Sequence, residues 1–404
     1  MNFFKKYFKG DPHIWAIILG LSVFSLLAVY SSSGSLAYRF KEGNTAIYIM
    51  RHSVFLAIGL VTTFILHIFP YKYYARLSQW MMILVAPLLF FTLFFGVEGN
   101  NAPRWLSIFG MSFQTSDLAK MALIMYLAQR LASKQNEIHD FKKTIAPMLV
   151  IIGLVCVLIL PANFSTAAML FAVCLMMLFV GRVSFKHMAS LCAIALVMMT
   201  LLVGSFYGLQ KIGVEHRVVQ RGTTIVNRID RFFDKSEKDD LLGYNFQANQ
   251  ARIAVGTGGF IPSGPGTSIQ RNFLPHSYSD FIFAIIIEEY SIFGGLMVIV
   301  LYLSLLYRSI LIVRKCEKTF PAFLVMGLSL SIIFQAFVNM AVSVGLMPVT
   351  GQPLPLISMG GTSILFTGAA LGIILSVSRE VRRQDELKAR KIVGEKLAEE
   401  KTVE

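Results

Sequence analysis

The chain is short of charge and of cysteine. Only 15% of its 404 residues are Asp, Glu, Lys or Arg, and 55% are hydrophobic. Soluble domains carry about 25% charged and ~45–50% apolar residues, so a water-soluble globular fold is excluded. The four cysteines are Cys156, Cys174, Cys192 and Cys316. Three lie in apolar runs and the fourth follows Arg314 and Lys315; there is no CxxC or other metal-ligand spacing. A zinc module and a disulfide framework are thereby excluded, and the four are read as free thiols used in packing. No small-residue cleavage site follows the first apolar segment. The opening MNFFKKYFKG therefore predicts a retained first helix with its N-terminus in the cytoplasm. No solenoid or transporter repeat is visible. Acidic residues are also scarce, 23 against 37 Lys and Arg, for a net charge of +14. In a membrane chain that excess marks cytoplasmic loops facing anionic lipid and does not imply a nucleic-acid partner.

Long apolar runs are what the sequence does have. A spanning helix needs ~20 mostly apolar residues, and ten runs meet or approach this, from Ile14–Tyr30 to Leu356–Val377. The reading is an all-α integral membrane protein of ten transmembrane helices with both ends cytoplasmic. The weakest run, Leu118–Leu131, is short and has Asp117, Lys120, Gln129 and Arg130 in it or at its edge. Such a helix survives only if buried among others or lining a wet cavity. With the N-terminus inside, Lys and Arg concentrate in the short inner loops in every pair after the first. A large outer loop, about 208–279, separates runs seven and eight. Residues 1–378 are read as the membrane domain and 379–404 as a charged cytoplasmic tail.

The polar residues with chemical potential gather toward the outer face. Asp280 opens the eighth run. Glu288 and Glu289 follow about two turns deeper, ~12 Å at 1.5 Å per residue. Helical periodicity puts Glu288 ~80° round from Asp280 and Glu289 ~180° away, so Asp280 and Glu288 are expected to line one cavity. Asp280 is open to two readings, a reactive carboxylate or a helix N-cap. The glutamates are open to a site role or a bond to a neighbouring helix. Upstream, GTGGFIPSGPGTSIQRNFLPHSYSD is glycine-rich, which allows tight turns or a close approach to a ligand. In GNNAPRWLSIFGMSFQTSDLAK, Arg104, Gln114 and Lys120 sit at the expected outer mouth, where cations suit a phosphate. An interfacial anchor for Arg104 and an ion pair of Lys120 with Glu288 or Asp117 are the alternatives. In PVTGQPLPLISMGGTS the prolines break any helix and Gly360–Gly361 permit close packing.

The joint order of these blocks resembles the SEDS (shape, elongation, division, sporulation) family of peptidoglycan glycosyltransferases over nearly the whole chain. The family's N-G-A-x-R-W-I and F-Q-P-S-E-L-A-K read here Asn101–Leu106 and Phe113–Lys120. Its L-P-E-A-H-T-D-F-I-F-A and following acidic pair read Leu274–Ala284 and Glu288-Glu289. Its L-P-x-T/K-G-x-P-L-P-x-I-S-Y-G-G-S-S reads Met347–Ser363. Among the departures, Asn163 replaces an acid, His276 a Glu, Tyr278 a His and Met359 a Tyr.

The resemblance implies polymerisation of lipid II, with a growing glycan transferred from its lipid diphosphate to the 4-hydroxyl of the next disaccharide. It maps the family's essential aspartate onto Asp280. Lys120, Arg104, Gln114, Glu288, Ser358, Gly360 and Gly361 are then expected at the substrate. A carboxylate can accept the hydroxyl proton or hold a divalent cation, Mg or Mn. The implied partners are a class B penicillin-binding protein, an FtsI-like transpeptidase, and other divisome membrane proteins. The implied location is the bacterial inner membrane with the site on the periplasmic side. The last motif and the charged tail favour the division branch over the elongation branch. A lipid II flippase and a non-catalytic division scaffold are the competing classes.

Overall fold

A computed structural model describes residues 8–34, 45–99, 102–108, 111–138, 140–211, 244–274 and 277–403. The middle of the expected outer loop and His276 lie outside the described residues. In chain order the helices are α1 (Pro12–Ser32), α2 (Ala46–Ile68), α3 (Lys72–Phe95), α4 (Thr115–Ser133), α5 (Ala146–Ile159), α6 (Phe164–Val180), α7 (Phe185–Lys211), α8 (Tyr244–Thr257), α9 (Ile282–Lys315), α10 (Thr319–Ser343) and α11 (Gly361–Val403). Seven helical segments among the described residues are long and apolar enough to cross a membrane, and α6 and the first part of α7 are shorter apolar helices. This is a polytopic membrane protein.

The weakest apolar run becomes the most enclosed helix. α4 packs against α3, α6 and α10, and Ala119, Ala122, Leu123, Met125, Ala128 and Leu131 are fully buried. Its polar side chains are tolerated because they face protein, not lipid. At the other extreme, α2 and α11 press backbone to backbone. A Cβ on Gly368 would stand 2.4 Å from the Gly59 carbonyl oxygen, and Thr63 Oγ1 contacts both the Gly59 and Gly368 oxygens at 2.9 Å. Small residues at such a crossing let dispersion replace the hydrophobic drive that lipid cannot supply.

Three features refine or correct the expectations. The chain is not wholly α-helical. β1 (Val97–Gly99), β2 (Ala102–Ile108) and β3 (Met111–Gln114) form an antiparallel sheet in the order β1-β2-β3. Pairing Gly99 with Ala102 and Ile108 with Met111 leaves two-residue connections. That hairpin spacing closes strands too short to register against the long apolar runs. Secondly, the charged tail is a helical extension, since α11 runs on through position 378 to Val403. The tail is tied back to the bundle: Arg379 donates to the Ile68 carbonyl at 2.7 Å, Arg382 to that of Gly10 at 2.6 Å, and Lys315 pairs with Asp385 at 2.8 Å.

Thirdly, α9 is interrupted. Ser291 has φ 63° and ψ −177°, a region nearly confined to glycine. The break exposes main-chain groups inside the bundle, and the glycine-rich loop satisfies them. Gly264 N–H donates to the Glu289 carbonyl at 3.0 Å, and Ile292 N–H donates to that of Gly259 at 3.2 Å. Gly258 makes the approach possible, since a Cβ there would lie 2.3 Å from the Ile287 oxygen. Irregular backbone within a membrane bundle requires such internal partners.

Candidate active site

The site is built where the Asp280 turn meets the proline-rich segment before α11. Asp280 lies in a turn, and the cap position of α9 is Phe281, with no side-chain cap. The helix-cap reading of Asp280 therefore fails. Ser279 Oγ donates to Asp280 Oδ1 at 3.0 Å. On the other side, the position of a Cβ on Gly351 (φ +68°) is 3.7 Å from Asp280 Oδ2, so the Gly351 backbone flanks the carboxylate. Tyr278 stands two residues away. Burial, then the charges of Asp280 and Tyr48, push its phenol above the ordinary value of 10.0.

Two hydrogen bonds stitch this turn to the last motif. Ser358 Oγ donates to the Ser279 carbonyl at 2.6 Å, and Met359 N–H donates to that of Tyr278 at 2.9 Å. Ser358 thus holds the backbone beside Asp280. Gly361 opens α11, where a Cβ would come 3.2 Å from the Phe55 ring. Gly360 lies beside Ser363 and Pro353. Both glycines act in packing under the turn.

Pro353 and Pro355 leave two gaps in the N–H supply of this segment, and side chains from three helices meet its carbonyls. Asn339 Nδ2 donates to the Gln352 oxygen at 2.8 Å, Gln335 Nε2 to that of Pro353 at 2.9 Å, and Ser25 Oγ to that of Ile357 at 2.9 Å. Tyr302 Oη donates to the Pro355 oxygen. His52 Nε2 lies 2.7 Å from Ser25 Oγ. The Ser25 hydroxyl proton already goes to Ile357, so His52 donates through Nε2. Gln352 Nε2 reaches Thr166 Oγ1 at 2.8 Å. Asn163, the departure from the family acid, accepts from Thr166 N–H at 3.2 Å as the N-cap of α6. Reading the sequence missed Gln335, Asn339, Tyr302, Ser25 and His52. Their signal was present as single polar residues inside apolar runs, but nothing in the spacing said which carbonyls they would meet.

Lys120 forms an ion pair with Asp117 at 2.9 Å and donates to Gln335 Oε1 at 3.2 Å. The expected alternative partner, Glu288, is not involved in these contacts. A cleft between α4, α10 and α11 has Asp117, Lys120, Ser331, Gln335, Ser363 and Thr367 as polar lining and Met121, Leu328 and Phe366 among its apolar walls. One polar end and one oily wall suit an amphiphile. Arg104 lines a second cleft of about 270 Å³ with Thr115, Ser116 and Asn163, and its Nε donates to the Ala162 carbonyl at 2.7 Å. Gln114 holds Ser116 Oγ at 3.0 Å at the start of α4. Arg104 and Lys120 thus line different clefts.

Glu288 is also placed otherwise than expected. Its carboxylate accepts from Ile269 N–H at 3.0 Å, from Gln270 N–H at 3.2 Å and from Ser268 Oγ. Glu289 accepts from Ser268 N–H at 3.2 Å and from Ser31 Oγ. Both carboxylates anchor the glycine-rich loop, which folds back over this first part of α9. Helical periodicity alone could not foresee this.

A turn carrying a carboxylate is thus locked, inside a polytopic membrane bundle, to a proline-rich segment whose Pro355 lines the amphipathic cleft. The family model described as "Cell cycle protein", FTSW_RODA_SPOVE, matches residues 12–383, and the chain belongs to that family. It is 33% identical over 379 residues to the "Probable peptidoglycan glycosyltransferase FtsW" of Nitrosococcus halophilus, covering 92% of this chain and 93% of that one. It is 31% identical over 381 residues to "Stage V sporulation protein E" of Bacillus subtilis, covering 93% and 99%. The fold matches a solved structure described as "Structural coordination of polymerization and crosslinking by a peptidoglycan synthase complex". There the TM-score is 0.72 at 23% identity, with 92% of this chain and 98% of the other covered.

Proposed function

We propose that this protein is a peptidoglycan glycosyltransferase that polymerises lipid II for septal wall synthesis, as an FtsW-type enzyme. The observation that carries the reading is the Asp280 carboxylate on a turn that Ser358 locks to the last motif, whose Pro355 and Ser363 line a cleft with one polar end and an apolar wall. In this reading the 4-hydroxyl of the acceptor disaccharide attacks the anomeric carbon of the donor. The bond from that carbon to the lipid diphosphate breaks, and the hydroxyl proton passes to Asp280. A sugar hydroxyl is a poor nucleophile, so a positioned base is the natural requirement. Lys120, at the polar end of the cleft, offsets the charge developing on the diphosphate. Among the described residues no three His, Cys, Asp or Glu converge as a metal site. A divalent cation at Asp280 would be held by that one carboxylate and by substrate oxygens, a mode that suits Mg²⁺; bound there it would neutralise diphosphate charge.

The enzyme is read as lying in the inner membrane with ten spans, both ends cytoplasmic and the site periplasmic. Its proposed partners are a class B penicillin-binding protein and other divisome membrane proteins. Likeness to both FtsW and SpoVE relatives supports the polymerase family. The test is polymerisation of labelled lipid II by the purified protein with its transpeptidase. Asp280→Ala and Asp280→Asn should each lose ~10²-fold or more, because Asn keeps the shape but cannot take the proton. Glycan synthesis by Asp280→Asn at near the parent rate would end the assignment.

A further inference from the structure

We propose that Asn339 and Gln335 of α10 are positioning residues that set the Asp280 turn and Lys120 in register with one another. This rests on the reading of Asp280 as the proton acceptor.

The two amides are four residues apart and so share one face of α10. Asn339 Nδ2 donates to the Asp280 carbonyl at 2.9 Å and to the Gln352 carbonyl at 2.8 Å. Both partners are acceptors, which fixes the orientation of the amide. One turn away, Gln335 Nε2 donates to the Pro353 carbonyl at 2.9 Å while its Oε1 accepts from Lys120 at 3.2 Å. Successive carbonyls of one segment are thus tied to the backbone of the acid on one side and to the cation on the other. α10 acts as a ruler between them.

A purely structural amide in a membrane bundle would have both ends bonded. Asn339 is 1% exposed, yet its Oδ1 has no hydrogen-bond partner among the described residues. Keeping an orphaned acceptor at this position is costly for stability alone. The donor end explains why an amide stands here: no apolar side chain can bridge the Asp280 and Gln352 carbonyls. The prolines sharpen the effect. Pro353 and Pro355 have fixed φ and no N–H, so the segment transmits a shift of its carbonyls as a rigid piece.

The experiment uses full-length protein with its transpeptidase and measures kcat, KM for lipid II and the thermal unfolding midpoint. Asn339→Leu should lower kcat by ~10²-fold, the cost of a displacement of about an ångström at a reacting group, with KM little changed; it also strands the Asp280 and Gln352 carbonyls, so the midpoint should fall and be restored by Asn339→Gln. Asn339→Gln, which keeps the donor on a longer arm, should recover part of the loss. Gln335→Met should lower kcat and raise KM together, because it frees Lys120 as well. Asn339→Leu with near-parent kcat overturns the proposal. So does a kcat loss matched by a fallen midpoint that Asn339→Gln does not relieve. Asp280→Ala, run alongside, separates the two readings. If it polymerises normally the catalytic assignment falls. If it is inactive while the Asn339 variants are active, only the positioning role falls.

Discussion

Lys120 and Asp117 form an ion pair one helical turn apart, 2.9 Å from nitrogen to oxygen, with side chains only 13% and 7% exposed. The pair lines the cleft, so each residue has both a structural and a chemical reason to be there. Removing one partner of a buried pair costs about 3–5 kcal/mol, because the other charge is stranded, whereas replacing both with apolar groups is often neutral. Lys120→Met alone should therefore lower the unfolding midpoint in detergent. Lys120→Met with Asp117→Leu should restore the midpoint and remain inactive on lipid II. A double variant that recovers turnover along with stability would reduce Lys120 to a structural role.

The anchoring of the glycine-rich loop by Glu288 is open to proteolysis. A charged carboxylate accepting from N–H groups contributes about 1.5–3 kcal/mol per bond, and Glu288 collects those of Ile269 and Gln270. Glu288→Gln keeps an acceptor oxygen for these two donors but loses the charge and turns an N–H₂ group toward Ser268 Oγ, which now donates to Glu288. Cleavage by trypsin after Arg271 should become faster, while the helices stay protected. Unchanged cleavage kinetics would mean that the loop is held by other contacts.

Backbone strain at Ser291 gives a prediction with the opposite sign. A non-glycine residue at this φ and ψ costs on the order of 1–3 kcal/mol. Ser291→Gly should raise the unfolding midpoint, less the bond that Phe293 N–H makes to Ser291 Oγ at 3.3 Å. Ser291→Val, branched at Cβ, should lower it. A midpoint that falls with glycine would show that the hydroxyl matters more than the strain.

At the opposite end of the bundle, Asp11 caps α1 and accepts from Arg308 Nε at 2.9 Å and from His13 N–H at 2.9 Å. Burial pushes the carboxyl up, but the bonds and charge of Arg308 and the bonds from His13 prevail and hold it below the ordinary 3.8. A folded-state value below the unfolded one means stability that is present above about that pH and is lost as pH falls through the folded value. Arg308→Gln should shift the acid limb of the stability profile upward, measured as midpoint against pH from neutral to 3. An unmoved limb would show that other carboxylates govern acid unfolding.

The sequence by itself determined that this is a membrane protein, because apolar length and scarce charge leave no other solvent for these helices. It also determined which segments carry chemistry. Ordered blocks around Arg104, Lys120, Asp280 and Ser358 mark the family without any coordinates, and α4 was recognisable as a polar helix that must be buried. What the sequence could not determine is which polar groups meet. Helical periodicity put Glu288 with Asp280, but the returning glycine loop gave both glutamates to main-chain N–H groups. The same holds for Asn339, Gln335, Tyr302 and Ser25, each a lone polar residue in an apolar stretch. Their roles depend on carbonyls that proline leaves unpaired as much as 332 residues away in the chain, as between Ser25 and Ile357. Burial follows from local composition, whereas hydrogen-bond partners across a bundle follow from how helices cross. Only the tertiary structure decides that.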